Sequence, residues 1–184
     1  MLNIQNIVKK RRWLRLKPTQ YVLIGFAAII LTGAIILTLP VSSRTGEATD
    51  FLTALFTATS ATCVTGLVVV DTYTYWSSFG QWIILLLIQL GGLGFMSFAT
   101  LFSLMLRRTI SFSERLVMKE TLNFFDTAGI VRTTRHILLG TLFFEGTGAV
   151  ILSIRFAKDF GWAGGIRRGI FHAVSAFCNA GFDH

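Results

Sequence analysis

Residues 56–67 read FTATSATCVTGL, and residues 171–182 read FHAVSAFCNAGF. Aligned without a gap, Phe56, Ala58, Ser60, Ala61, Cys63 and Gly66 pair with Phe171, Ala173, Ser175, Ala176, Cys178 and Gly181. Identity at half the positions of so short a window points to an internal repeat with shared origin and role. Each copy follows a long apolar stretch and is itself too short to span a bilayer, so its reading decides the architecture.

Composition identifies the solvent. Of 184 residues 53% are hydrophobic and 14% charged, with a mean hydropathy of +0.64; a soluble domain carries about 25% charged residues. The net charge of +8 does not point to nucleic acid, because the basic residues cluster where membrane segments should end. Two cysteines are too few for a secreted disulfide framework. The basic leader before residue 21 resembles the start of a signal peptide. The apolar run that follows is longer than a signal core and lacks an Ala-x-Ala cleavage site, so it reads as a retained membrane helix.

Three spans are expected, over residues 21–39, about 79–106 and about 137–154. Pro40 closes the first. The second exceeds what a straight crossing needs and should tilt, kink or extend beyond the hydrocarbon. Basic residues set the orientation: Lys9, Lys10, Arg11, Arg12, Arg15 and Lys17 precede the first span, and Arg107, Arg108, Arg115, Lys119, Arg132 and Arg135 separate the second from the third. The amino terminus and the 107–135 loop should be cytoplasmic, with residues 41–78 outside. Arg155 and Lys158 can snorkel, whereas external Arg167 and Arg168 have no account in the sequence. Ser111 and Glu114 match a capping box before a short helix over 112–122.

The organisation expected is a basic amino terminus (1–20), a first pore-loop repeat (21–106), a cytoplasmic loop (107–135) and an incomplete second repeat (136–184). In each repeat a half-length helix enters from outside. Residues 51–61 would form one about 16 Å long, capped by Thr49 or Asp50. Its carboxyl end brings partial negative charge toward the membrane centre, which favours a cation. The return segment is irregular backbone at membrane depth, tolerated only if buried in protein or lining an aqueous cavity. Its carbonyls can replace an ion's hydration shell, and Gly66 and Gly181 supply backbone freedom.

The stretch TSATCVTGL followed by VVDT resembles the membrane subunit of bacterial Ktr potassium transporters, within the Ktr/Trk/HKT superfamily. The basic leader, the Leu39-Pro40 end of the first span and GGLG at 91–94 fit the same family. The resemblance implies an all-α integral membrane fold, similar to potassium channels, built from repeats of spanning helix, pore helix, filter loop and spanning helix. It implies potassium uptake across the cell membrane through a multi-pass protein. It places the filter at Thr62, Cys63, Val64, Thr65 and Gly66, and at Phe177, Cys178, Asn179, Ala180 and Gly181. It also implies a lipid environment, a homodimer when complete, a cytoplasmic nucleotide-binding regulatory ring, and sodium as a coupling or activating ion. Four repeats close such a filter, whereas the sequence ends after the second filter, so a fragment or truncated product is expected.

Cys63 and Cys178 read as small, buried, reduced residues at matching positions rather than as a disulfide. Glu145 is an acid in an apolar span and has two readings: a partner for the pore loop behind the filter, or a protonated or hydrogen-bonded packing residue. Asp71 and Asp183 follow the filter strands as cation attractors or as plain loop acids. Gly91, Gly92 and Gly94 suit close helix packing or a bend, not a nucleotide site. His136, His172 and His184 lack metal-ligand spacing, and no nucleophile–base arrangement supports an enzyme. The alternative function is a non-conducting scaffold or regulatory fragment. A re-entrant secondary transporter fits less well, since its repeats are more often inverted and both copies here enter from one side.

Overall fold

An uncharged run without an interior breaker folds as helix α1, Pro18–Thr38, whose 21 residues span about 31 Å. The computed structural model describes residues 18–94 and 130–183; the expected amino-terminal domain and the 112–122 helix lie outside the described residues. Pro40 halts α1 by opening a 3-10 turn, Pro40–Ser42. Two hydroxyls satisfy carbonyls near the end of α1: Thr38 Oγ1 donates to Ala34 O at 2.8 Å and Ser42 Oγ to Ile36 O at 2.7 Å.

Helix α2, Phe51–Thr62, is capped by Asp50, whose carboxylate accepts from the Leu52 and Thr53 amides at 3.0 and 3.3 Å. Of the two expected caps, Asp50 takes the role, while the Thr49 amide donates to Thr38 O. A short helix α3, Thr72–Tyr75, leads through buried Trp76 into α4, Ser78–Gly92. The Gln81 amide nitrogen contacts the Thr72, Tyr73 and Trp76 carbonyls and fixes this corner.

Helix α4 ends at Gly92, capped by Leu93, with Gly94 at φ +79. The GGLG cluster thus interrupts the helix inside the expected second span, and the remainder of that span, residues 95–106, lies outside the described residues.

The last helix, α5, runs Ile130–Phe177 but folds back on itself at Gly161 (φ +71, ψ +169). That conformation is open to glycine almost alone. Residues 130–160 and 162–177 form two antiparallel arms in close contact. A Cβ on Gly165 would lie 2.6 Å from Ala157 N, one on Gly169 would lie 2.6 Å from Ser153 N, and one on Gly148 would lie 3.5 Å from Ala173 Cβ. Small residues at four-residue spacing let two helix backbones approach closely without hydrocarbon between them. Residues 39–50 join α1 to α2, whereas one glycine joins the two arms of α5.

The buried core joins α1, α2 and α4 to the carboxyl-terminal segment, with Leu37, Ala58, Ile84 and Ile88 in one cluster with Phe171 and Phe182. Outside it, α1 and the first arm of α5 expose large apolar side chains, including Leu23, Ile35, Phe143 and Ile151. A continuous apolar exterior of this kind suits lipid contact rather than water. By length and composition the stretch Arg135–Phe177 suffices to cross a membrane; Val22–Thr38, Phe51–Thr62 and Ser78–Gly92 are shorter apolar helices. Among the described residues there are helices and one isolated bridge, Ser43 to Trp76, with no named strand.

Candidate functional site

The two sequence copies fold alike. Thr62 ends α2 and Phe177 ends α5, followed by Cys63 and Cys178. The Cys63, Val64 and Thr65 amides then donate to the Thr59, Ala61 and Ser60 carbonyls at 2.8, 3.2 and 3.0 Å. In the second copy the Cys178, Asn179 and Ala180 amides donate to the Val174, Ala176 and Ser175 carbonyls at 2.9, 3.0 and 2.7 Å. Both sets are a Schellman termination, which requires a left-handed residue just past the cap. Val64 (φ +56) and Asn179 (φ +57) supply it, and two residues on Gly66 and Gly181 are both at φ +72. Asparagine tolerates this conformation, while a β-branched residue adopts it only under strain.

Each loop is also tied to its own helix by a matching serine. Ser60 Oγ and Thr65 Oγ1 share a hydrogen bond of 3.0 Å. Ala180 has no hydroxyl to offer at that place, and Ser175 Oγ donates instead to Phe182 O at 2.8 Å. Both serines are buried, so these bonds act where a lost partner is costly.

The loops meet backbone to backbone. A Cβ on Gly66 would stand 2.5 Å from Ala180 O and 3.1 Å from Gly181 Cα. Beneath them lies the carboxyl end of α4. A Cβ on Gly91 would collide with the Thr62 carbonyl, and one on Gly92 would stand 2.6 Å from Cys178 Sγ. Close packing is thus the role of Gly91 and Gly92, and their packing partners are the two loops.

Cys63 and Cys178 are both free thiols, but neither is fully buried as expected: Cys63 is exposed and Cys178 half-buried, because only Cys178 is covered by α4 and α5. Glu145 is buried and its Oε2 accepts from Gln89 Nε2 at 2.9 Å, with Cys178 Sγ at 4.0 Å from Oε1. The 2.9 Å bond from Gln89 fits the hydrogen-bonded packing reading of Glu145, and the longer approach of Cys178 sets the same carboxyl group beside the second loop. Among the described residues no group of three His, Cys, Asp or Glu side chains converges as a metal site.

The acids near the loops divide. Asp71 caps α3, accepting from the Thr74 amide and hydroxyl at 2.6 Å each; these bonds hold its carboxyl below the ordinary value of 3.8. Asp183 is highly exposed, 3.5 Å from His172 Nε2. Arg167 and Arg168, unexplained by the charge pattern, acquire a structural account. Arg167 donates to Ser78 Oγ at 2.7 Å. The Arg168 guanidinium lies between the Phe160 and Tyr73 rings, 3.4 and 4.6 Å from their centroids, a cation–π arrangement that offsets its burial.

The sequence model of TrkH, described as a cation transport protein, matches residues 9–184. The chain belongs to the TrkH cation transport family. It is similar to the potassium/sodium uptake protein NtpJ of Enterococcus hirae, at 51% identity over 96% of this chain and 39% of that protein. It is also similar to the Ktr system potassium uptake protein B of Bacillus subtilis, at 45% identity over 94% of this chain and 38% of that one. The namesake from Vibrio alginolyticus is 39% identical over 88% of this chain and 35% of that protein. The TrkH-family chain thus spans less than two fifths of the length of these relatives. TrkH is a transporter family, and membership makes this a membrane protein, as its composition suggested.

Two features of this TrkH-family chain escaped the sequence reading. The Gly165–Gly169 spacing is a small-xxx-small signal and was there to be found. Gln89 carried none, because a single amide in an apolar helix has many roles.

Proposed function

We propose that the protein takes part in potassium uptake across the cell membrane, with Thr62, Cys63, Val64, Thr65 and Gly66, and Phe177, Cys178, Asn179, Ala180 and Gly181, lining a carbonyl selectivity filter. The observation that carries this reading is the repetition of one backbone form at two touching loops: left-handed at Val64 and Asn179, then at Gly66 and Gly181. An uninterrupted strand turns successive carbonyls to opposite sides, and left-handed residues at alternate positions let them share one. A row of such oxygens can stand in for the water lost by a dehydrated potassium ion. The Thr62 hydroxyl is buried without a hydrogen-bond partner among the described residues and is a further oxygen available to a cation.

In this reading residues 21–106 and 136–184 are two pore-loop repeats joined by a cytoplasmic loop, 107–135. The amino terminus is cytoplasmic, and α2 and the second arm of α5 are pore helices entering from outside. Four repeats close the pore. The relatives' names support the cargo: one is called a potassium/sodium uptake protein and others belong to a Ktr potassium uptake system. Sodium acts as a coupling or activating ion, and a homodimer with a cytoplasmic nucleotide-binding ring is the assembly in which uptake is regulated.

The test is Gly66→Ser in the full-length protein, assayed by potassium and sodium uptake in cells lacking their own potassium uptake. Altered discrimination between the two ions is expected. Unchanged discrimination at normal membrane abundance rules the filter assignment out.

A further inference from the structure

We propose that Gln89 and Glu145 form a positioning pair that holds the second loop through Cys178 and thereby sets ion discrimination at that loop. The inference rests on the filter reading above and adds a device to it.

Glu145 is 7% exposed, and an isolated carboxyl group so enclosed is costly unless it is hydrogen-bonded. Its partners come from two other parts of the fold. Gln89 on α4 donates its side-chain N–H to Oε2 at 2.9 Å. On the second loop, Cys178 Sγ lies 4.0 Å from Glu145 Oε1 and 3.9 Å from Gln89 Oε1. Two acceptors therefore converge on one thiol, which has a single weak proton to give. From the α4 side Gly92 closes the space, since a Cβ there would stand 2.6 Å from the sulfur. Cys178 is thus held between α4 and the first arm of α5.

Cys178 stands immediately before Asn179, the left-handed residue, and its own amide is fixed to Val174 O at 2.9 Å. Displacing the sulfur therefore moves the backbone of Asn179, Ala180 and Gly181, where the cation would be held. Cys63, the matching residue of the first loop, is exposed. The pair is specific to the second loop among the described residues, and gives the two loops different stiffness.

The experiment uses the full-length protein in uptake-deficient cells and reads the ratio of KM for potassium and sodium alongside membrane abundance. Gln89→Leu is expected to change this ratio about tenfold, the size of one charge-assisted hydrogen bond. Glu145→Gln should change it less, about threefold, because an amide still accepts from Gln89 while the charge assistance is lost. The exchange Gln89→Glu with Glu145→Gln restores the donor–acceptor pair with its ends reversed and should return the ratio to within about twofold of the original. A purely structural role would lower abundance without moving the ratio or being rescued by the exchange. If Gln89→Leu fails to accumulate, Glu145→Gln and the exchange decide. Single variants that leave the ratio unchanged while Gly66→Ser shifts it overturn the pair and leave the filter standing. An exchange no better than the worse single variant overturns it as well. A Gly66→Ser protein with the original ratio removes the filter reading and this inference together.

Discussion

Gly66 lies directly on Gly181, its counterpart in the second copy, but the contact is not symmetric. A Cβ on Gly66 would meet Ala180 O at 2.5 Å, whereas one on Gly181 would meet nothing nearer than Gly66 Cα at 3.5 Å. Both residues share φ +72, so alanine strains the backbone at either place, by about 1–2 kcal/mol. Only Gly66→Ala adds overpacking, about 1–3 kcal/mol more. Thermal unfolding in detergent should therefore rank Gly66→Ala below Gly181→Ala; equal melting temperatures would contradict the asymmetric contact.

Gly91 and Gly94 separate packing from conformation. Gly91 is helical and pressed on the Thr62 carbonyl, while Gly94 is left-handed with nothing within 4 Å of an added Cβ among the described residues. Gly91→Ala should force α4 away from the end of α2 and impair uptake in the full-length protein. Gly94→Ala should cost only its backbone strain, about 1–2 kcal/mol. Uptake kinetics and melting temperature on both variants check this; uptake unaffected by Gly91→Ala would contradict the packing role.

At the left-handed position of the second loop, Asn179 is exposed, so a substitution there loses little packing. Asn179→Gly should change stability by only a few tenths of a kcal/mol, and Asn179→Val should cost about 1 kcal/mol or more, since a β-branched residue is poorly accommodated there. Chemical denaturation compares the two. Equal stability would argue against a left-handed Asn179.

Gly161 tests the fold-back of α5. It has no neighbour within 4 Å of an added Cβ, so any effect of Gly161→Ala is conformational, about 1–3 kcal/mol. A cysteine pair replacing Gly148 and Ala173, whose Cβ atoms would stand 3.5 Å apart, within disulfide reach, reports whether the arms remain apposed. Failure of such a pair to cross-link in the unsubstituted background would exclude the hairpin.

Asp71 gives a pH dependence. Its carboxyl is held below 3.8, chiefly by the Thr74 hydroxyl. A group whose folded value is depressed contributes stability above its unfolded value and loses it as pH falls through the folded one. The contribution should therefore be intact at neutral pH and disappear below about pH 4. Asp71→Asn keeps a capping oxygen and should flatten that acid limb, whereas Asp71→Ala should cost about 1 kcal/mol at neutral pH. An acid limb unchanged in Asp71→Asn would show that the carboxylate does not contribute.

The parts legible in the sequence were those governed by local rules. Pro40 ends α1, Asp50 caps α2, and the twelve-residue repeat did return as two loops of one conformation. What escaped depended on contacts distant along the chain. GGLG signalled close packing or a bend, but not that the interruption falls at Gly92 through the Leu93 cap and the left-handed Gly94. The turn at Gly161 lay beyond the expected third span with no local signal, and it shows only in the contacts of Gly165 and Gly169 with Ala157 and Ser153. Arg167 and Arg168 contradicted the charge rule because that rule counts charges and cannot see the Ser78 hydroxyl or the Phe160 and Tyr73 rings. Glu145 announced itself as an anomaly, but its partners, Gln89 and Cys178, come from other elements.

In the function proposed above, the two touching loops discriminate between cations. The most direct measurement is the potassium-to-sodium uptake ratio of the full-length Gly66→Ser protein in cells without their own potassium uptake, normalised to membrane abundance. The account predicts a ratio shifted toward sodium, because a side chain at Gly66 displaces the backbone of Ala180 and Gly181. A ratio equal to that of the unsubstituted protein, at equal abundance, would contradict it.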